Sequence, residues 1–153
     1  LIKNPIIKAK NYSAIILTGN GENTKEIRKQ IKKYNPKINI FDSIYNPINI
    51  KKFRNNKNYL IFSGIGNPKT FERTLNLNKV NVVKSIVFPD HYEYTDKDIK
   101  EIKQLAKKLK TKILTTEKDF MRIKKNKQGI DFLKINLHIK NKKNLINFIK
   151  KNI

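Results

Sequence analysis

Short apolar runs rich in β-branched residues alternate with helix-period segments along the chain, and that alternation leaves few folds open. Ala14 to Thr18 reads as a buried strand closed by Gly19-Asn20-Gly21. The pattern from Asn23 to Tyr34 is helical, with Ile27 and Ile31 on one side and Asn23 or Thr24 as cap. Ile38 to Ile44 predicts a second strand ended by Asn46-Pro47, and Tyr59 to Phe62 a third, stopped by Ser63-Gly64-Ile65-Gly66. Asn67 then caps a helix with Pro68 in its first turn, where the missing N–H costs nothing, and Phe71 and Leu75 form its apolar stripe. Val80 to Phe88 is a fourth strand broken by Pro89. The strongest helix runs from Thr95 to Lys110. Thr95 and Asp98 form its capping box, and Ile99, Ile102, Leu105 and Leu109 its buried face. A strand over Lys112 to Thr115, a short helix from Glu117 to Ile123, a strand from Phe132 to Ile139 and a helix over Lys142 to Lys150 complete the chain.

Parallel strands need crossover connections, and helices between the strands supply them. The expectation is therefore an α/β fold: a mostly parallel, open, Rossmann-like sheet flanked by helices, in a single domain over residues 1–153. No stretch approaches the roughly 20 apolar residues of a membrane span. Without cysteine the chain holds neither a disulfide nor a thiolate zinc site. It opens on Leu1 rather than Met, which raises the expectation of a part of a longer protein.

A formal charge of +23 suggests a polyanionic partner, either nucleic acid or an acidic membrane surface. The opposing explanation is codon bias, because Lys, Asn and Ile are abundant together. Arginine is the better fork for phosphate, yet it occurs only as Arg28, Arg54, Arg73 and Arg122. A selected nucleic-acid surface would hold more of it.

Ligands in doubly wound sheets sit beyond the carboxyl ends of strands, and three unusual segments fall at such ends. In Phe62-Ser63-Gly64-Ile65-Gly66-Asn67-Pro68, two glycines precede a helix. They either bring backbone N–H groups to an anion or form a tight turn at positive φ. The segment is neither a Walker A loop nor a complete dinucleotide fingerprint. Phe88-Pro89-Asp90-His91-Tyr92-Glu93-Tyr94-Thr95 gathers a carboxylate, an imidazole and two phenols, and reads either as an acid–base site or as a surface turn. In Thr115-Thr116-Glu117-Lys118-Asp119, Thr116 suits a cap, and Glu117 and Asp119 suit the positive helix end. Lys118 opposes that end and is the residue left unexplained. His138 alternates with Leu137 and Ile139 as a strand residue, so no metal site is expected.

Taken together, the three segments resemble the tetraacyldisaccharide 4'-kinase family. Phe62 to Pro68 with Phe71 is similar to that family's strand–helix segment. Phe88 to Tyr92 with Tyr94, Thr95 and Asp98 is similar to its FPDHY-x-YT-x-x-D stretch, and Leu114 to Asp119 with Arg122 to its TTEKD stretch. They occur in the family's order, and the resemblance covers essentially the whole chain. Gly19-Asn20-Gly21 is a looser match to the family's first turn.

The resemblance implies the C-terminal half of an enzyme that moves the γ-phosphate of ATP to the 4'-hydroxyl of a lipid-linked disaccharide, giving lipid IVA. It implies an N-terminal P-loop domain as partner, because no Gly-x-x-x-x-Gly-Lys-Ser/Thr occurs in this chain. ATP and Mg2+ are expected to be held mainly by that half, and this chain alone is expected not to turn over. His91 would pair with a carboxylate base across the cleft, and Asp90 would fix the imidazole tautomer or the cleft geometry. Ser63, Gly64, Gly66, Asn67, Thr116, Glu117, Lys118 and Asp119 are candidates for lining a nucleotide or substrate cleft. The lipid substrate implies a peripheral place at the cytoplasmic face of the bacterial inner membrane, on an anionic surface that suits the lysines. No nucleic acid is expected on this reading. The rivals are a basic nucleic-acid-binding α/β domain without catalysis and a lectin-like or scaffold domain.

Overall fold

The computed structural model describes residues 9, 11–19 and 22–152, without the side chains of residues 22 and 23. In chain order the elements are β1 (Ala14–Thr18), α1 (Glu22–Tyr34), β2 (Asn39–Pro47), a 3-10 turn (Ile50–Phe53), β3 (Asn58–Ser63), α2 (Pro68–Leu77), β4 (Asn81–Val87), α3 (Asp96–Lys108), β5 (Lys112–Thr116), α4 (Glu117–Arg122), β6 (Ile130–Leu133), β7 (Ile135–Ile139) and α5 (Lys142–Lys151). They fall into two compact units. The first is Leu1–Asn46 with Asn136–Ile153, and the second is Pro47–Ile135.

The second unit carries a four-stranded sheet in the order β4-β3-β5-β6, with every neighbouring pair parallel. The central strand β3 is buried from Tyr59 to Ser63, as a strand covered on both faces must be. Its period of two splits the core. Tyr59 and Ile61 pack with Phe71 and Leu75 of α2. Leu60 and Phe62 pack with Ile99, Ile102 and Ala106 of α3. The chain leaves β3 to form β4 on one side, then returns to form β5 on the other. A topological switch point therefore lies between the carboxyl ends of β3 and β5, where an open α/β sheet forms its ligand crevice.

Local chemistry sets the helix ends. Asn67 Oδ1 accepts from Thr70 N at 3.2 Å, with Pro68 following as expected. The Thr95–Asp98 capping box closes in both directions: Thr95 N donates to Asp98 Oδ2 at 2.7 Å, and Asp98 N to Thr95 Oγ1 at 3.2 Å. At the other ends, Lys79 and Lys110 adopt left-handed φ of 59° and 52°. Val80 N then donates to Leu75 O at 3.1 Å, and Thr111 N to Ala106 O at 2.9 Å. Both helices thus end in Schellman motifs with lysine where glycine is the usual residue.

The first unit has a three-stranded sheet in the order β1-β2-β7, with β1 and β2 parallel. Its buried cluster joins Ala9, Ile31 and Ile38, with Ile15 and Ile40 packed against it. Phe41 meets Phe148 of α5 with ring centroids 5.6 Å apart. Arg28 pairs with Asp42, and the Thr18 and Ser43 hydroxyls hydrogen-bond at 2.8 Å.

The α/β class with a parallel, helix-flanked sheet is as expected, but the strands are shared between two sheets in two units. The expected strand from Phe132 to Ile139 is two strands, β6 and β7. Asn49 makes the break: its Nδ2 donates to Phe132 O at 2.9 Å, and its Oδ1 accepts from Lys134 N at 2.8 Å. Ile48 N donates to Lys134 O at 2.9 Å, so the polar groups there are used outside a strand ladder. β2 runs on to Pro47, where the proline ends the strand without having to donate within it. α1 begins at Glu22, ahead of the caps expected at Asn23 or Thr24; Thr24 is therefore helical. The expected turn at Asn20 and Gly21, and the Asn23 side chain, lie outside the described residues.

Candidate active site

All three segments singled out in the sequence follow strands of the second sheet, at the carboxyl ends of β3, β4 and β5. The first two meet at the glycines. Gly64 is buried, and a Cβ there would lie 3.0 Å from Pro89 O, 3.1 Å from Tyr92 Cβ and 3.1 Å from Tyr94 Oη. A Cβ on Gly66 would lie 3.2 Å from Asp90 Oδ2. Neither glycine has a positive φ. Both are therefore explained by close approach of the next loop, and the turn needing positive φ is not what forms. Phe88 N donates to Ser63 O at 2.9 Å, and His91 N to Gly64 O at 3.1 Å, which ties the loop after β4 along the loop after β3.

Aromatic residues anchor that second loop to the sheet. Tyr94 meets Phe62 edge-on at 5.3 Å and Phe88 at 5.1 Å, and Phe88 tilts over Tyr92 at 4.7 Å. Tyr92 Oη donates to Asp98 Oδ2 at 3.2 Å. The Thr95 hydroxyl first, then its backbone N–H and Tyr92, hold the Asp98 carboxyl below its ordinary range. With its aromatic neighbours facing inward, the loop carries His91 outward: its side chain is 71% exposed. His91 has φ 62°, a left-handed conformation held by the bonds from its N–H to Gly64 O and, at 3.0 Å, to Asp90 Oδ1.

The third segment supplies the buried charge. Thr116 caps α4: its Oγ1 accepts from Asp119 N at 3.1 Å and donates to Asp119 Oδ2 at 2.6 Å. The Asp119 side chain is fully buried, and its other oxygen accepts from Arg122 Nη1 at 3.3 Å. A buried carboxylate needs such pairing, since a lone one is strongly disfavoured. The same Nη1 donates to Gly64 O at 2.9 Å, and Nη2 lies 3.1 Å from His91 Nδ1. One guanidinium, only 19% exposed, thus ties the loops after β3 and β4 to α4, which follows β5 directly. Tyr94 lies beneath it. Burial first, then the Asp119 carboxylate, pushes the Tyr94 phenol well above its ordinary value, while Arg122 opposes. Its geometry falls short of a hydrogen bond to any described residue.

The candidates therefore divide. His91, Asp90, Gly64, Gly66 and Asp119 come together with Ser63 and Thr116 at the switch point. Asn67 is spent on the α2 cap. Glu117 begins α4 and is half-buried, whereas Lys118 is exposed and makes no ion pair among the described residues. Asp90 Oδ2 stands 3.8 Å from His91 Nε2, beyond hydrogen-bond reach. The contact at the imidazole's Nδ1 comes from Arg122, a residue the candidate set omitted. Its spacing of three from Asp119 on a helix was the available signal.

The family model for tetraacyldisaccharide-1-P 4'-kinase matches residues 2–153. This chain belongs to the tetraacyldisaccharide 4'-kinase family. A tetraacyldisaccharide 4'-kinase of Pelagibacter ubique is 45% identical over 147 residues, which are 95% of this chain and 47% of that kinase. Another, from Rickettsia bellii, is 42% identical over 86 residues, 56% of this chain and 27% of that kinase. The chain thus spans at most about half the length of these kinases. A crystal structure of LpxK from Aquifex aeolicus in complex with ATP shares the fold, with TM-score 0.53 at 18% identity over 90% of this chain and 51% of that one.

The glycines bear on what these loops could hold. The space they leave is filled by the chain's own Pro89 carbonyl and Asp90 carboxylate, groups that repel a phosphate. Among the described residues no cluster of His, Asp or Glu is arranged to hold a metal ion. Among the described residues, the two glycine-bordered loops leave no open phosphate cradle. No helix among the described residues is long and apolar enough to cross a membrane.

Proposed function

We propose that this chain is the C-terminal portion of an ATP-dependent kinase that phosphorylates the 4'-hydroxyl of a tetraacyl disaccharide 1-phosphate, the step that gives lipid IVA. The observation that carries this reading is the convergence of the three family-like segments on one sheet's switch point, with His91 at the exposed rim. ATP and Mg2+ are assigned to an N-terminal P-loop half, where they would supply the phosphoryl group and offset its charge. This chain's contribution is His91. Its imidazole orients and tunes the carboxylate that takes the proton from the sugar hydroxyl, as an orienting partner does in other dyads. Asp90 shapes the approach to that imidazole, and the buried Asp119 and Arg122 hold the rim in place. A lipid substrate and the +23 charge suit peripheral attachment to the anionic cytoplasmic face of the inner membrane. Alone, the chain binds no phosphates in register and does not turn over.

The test is complementation. The chain is co-expressed with the P-loop half of the Pelagibacter ubique kinase and given ATP, magnesium and the lipid disaccharide. Transfer of the γ-phosphate to the 4'-position is expected with both halves and with neither alone. Transfer by this chain alone would overturn the division of labour. Tight nucleic-acid binding at physiological salt, with no transfer, would favour the rival reading.

A further inference from the structure

We propose that Arg122 is a positioning residue that locks the His91 imidazole in a single tautomer, with the proton on Nε2. A guanidinium has only donors and stays protonated at any ordinary pH. A neutral imidazole has one donor nitrogen and one acceptor. Arg122 Nη2 lies 3.1 Å from His91 Nδ1, so Nδ1 has to be the acceptor and Nε2 carries the hydrogen. Asp90 does not set this choice, because its nearer oxygen is 3.8 Å from Nε2.

Arg122 is itself tightly held. Its Nη1 is shared between Gly64 O at 2.9 Å and the fully buried Asp119 carboxylate at 3.3 Å. The fork's second nitrogen is thereby aimed at the loop after β4. His91 is held from its backbone as well, through its N–H to Gly64 O at 3.1 Å. Both partners of the Arg122–His91 contact thus hang on the same carbonyl, which fixes their separation. The exposed nitrogen of His91 becomes a donor, and the chemical class of partner it takes is an acceptor such as a carboxylate. The catalytic consequence rests on the kinase reading above; the tautomer does not.

The experiment reads the tautomer directly, without turnover. The uniformly 15N-labelled 153-residue chain is studied by long-range 1H–15N correlation at about pH 8, above the ordinary histidine value of ~6.5. The chain has only two histidines, and His138, exposed on β7 with no side-chain hydrogen bond among the described residues, is an internal control. The expected result is a single Nε2–H form at His91, beside a fast-exchange average of two forms at His138. An averaged signature at His91, or a proton on Nδ1, overturns the proposal. Arg122→Met should convert His91 to the averaged signature, whereas Arg122→Lys, which keeps a cation beside Asp119, should restore part of the bias. An unchanged single form in folded Arg122→Met also overturns it. The wild-type spectrum decides the matter even where a variant fails to fold, and it is indifferent to whether complementation succeeds.

Discussion

The two units spend similar sequence very differently. In the unit Pro47–Ile135, β3 alternates its side chains between two separate clusters, so both sheet faces are packed under helices. In the unit formed by Leu1–Asn46 and Asn136–Ile153, the described core is a small group around Ile31 and Ile38. Ile16 and Leu137 remain 45% and 42% exposed, and α5 buries none of its residues. Apolar patterning is present in both units; among the described residues, a closed two-sided core forms in the second. The candidate site is built on that one. A rim that must hold an imidazole and a guanidinium at hydrogen-bond distance needs supports whose rotamers are locked by packing.

The comparison breaks most visibly at the cores. Phe62 is fully buried beneath Phe88 and Tyr94, so Phe62→Ala should cost about 3–5 kcal/mol in chemical unfolding. Ile149→Ala in α5, at a site already 43% exposed, should cost less than about 0.5 kcal/mol. Equal losses would show that the first unit is as tightly packed as the second. The buried charge comes next. Asp119→Asn removes the acceptor charge that Arg122 and Thr116 share, and should lower stability by about 2 kcal/mol, read from the urea midpoint.

A smaller effect than at the buried charge is expected at the α3 cap, and it carries a pH signature. The folded-state pKa of Asp98 is depressed below its ordinary 3.8, by Thr95 first. Its contribution is therefore present in full above that value and is lost as pH falls through the lower folded-state value. Asp98→Asn should cost about 1 kcal/mol near neutrality, with the difference from wild type shrinking below about pH 4. A difference that stayed constant into acid would mean that the carboxylate's charge plays no part in the cap.

These differences also explain what could be read in advance. Asn67-Pro68, the Thr95–Asp98 box and the apolar run of β3 were legible because each signal is local: a cap, a fixed φ or a period settles it. The helix from Thr95 was expected to end at Lys110, but the left-handed caps at Lys79 and Lys110 were not marked, since glycine is the usual sign of such a cap and lysine stands in its place. The break between β6 and β7 depends on Asn49, more than eighty positions earlier in the chain, and no local period reports it. The same holds at the site. Its three segments were visible as strand ends, but the role of Gly64 and Gly66 came from the loop that packs over them, not from their own φ. Arg122 stood beside the TTEKD-like stretch, but two of its three partners, Gly64 and His91, lie on loops far away in the chain, and only Asp119 shares its helix.

The most direct test of the account sets the two histidines against each other, one in each unit. In the complemented kinase, the rate of γ-phosphate transfer is measured for wild type, His91→Ala and His138→Ala under saturating ATP and lipid disaccharide. The account predicts a loss of about 10²-fold or more for His91→Ala and no change for His138→Ala. Full transfer with His91→Ala would contradict it and remove the rim of the second sheet from the reaction.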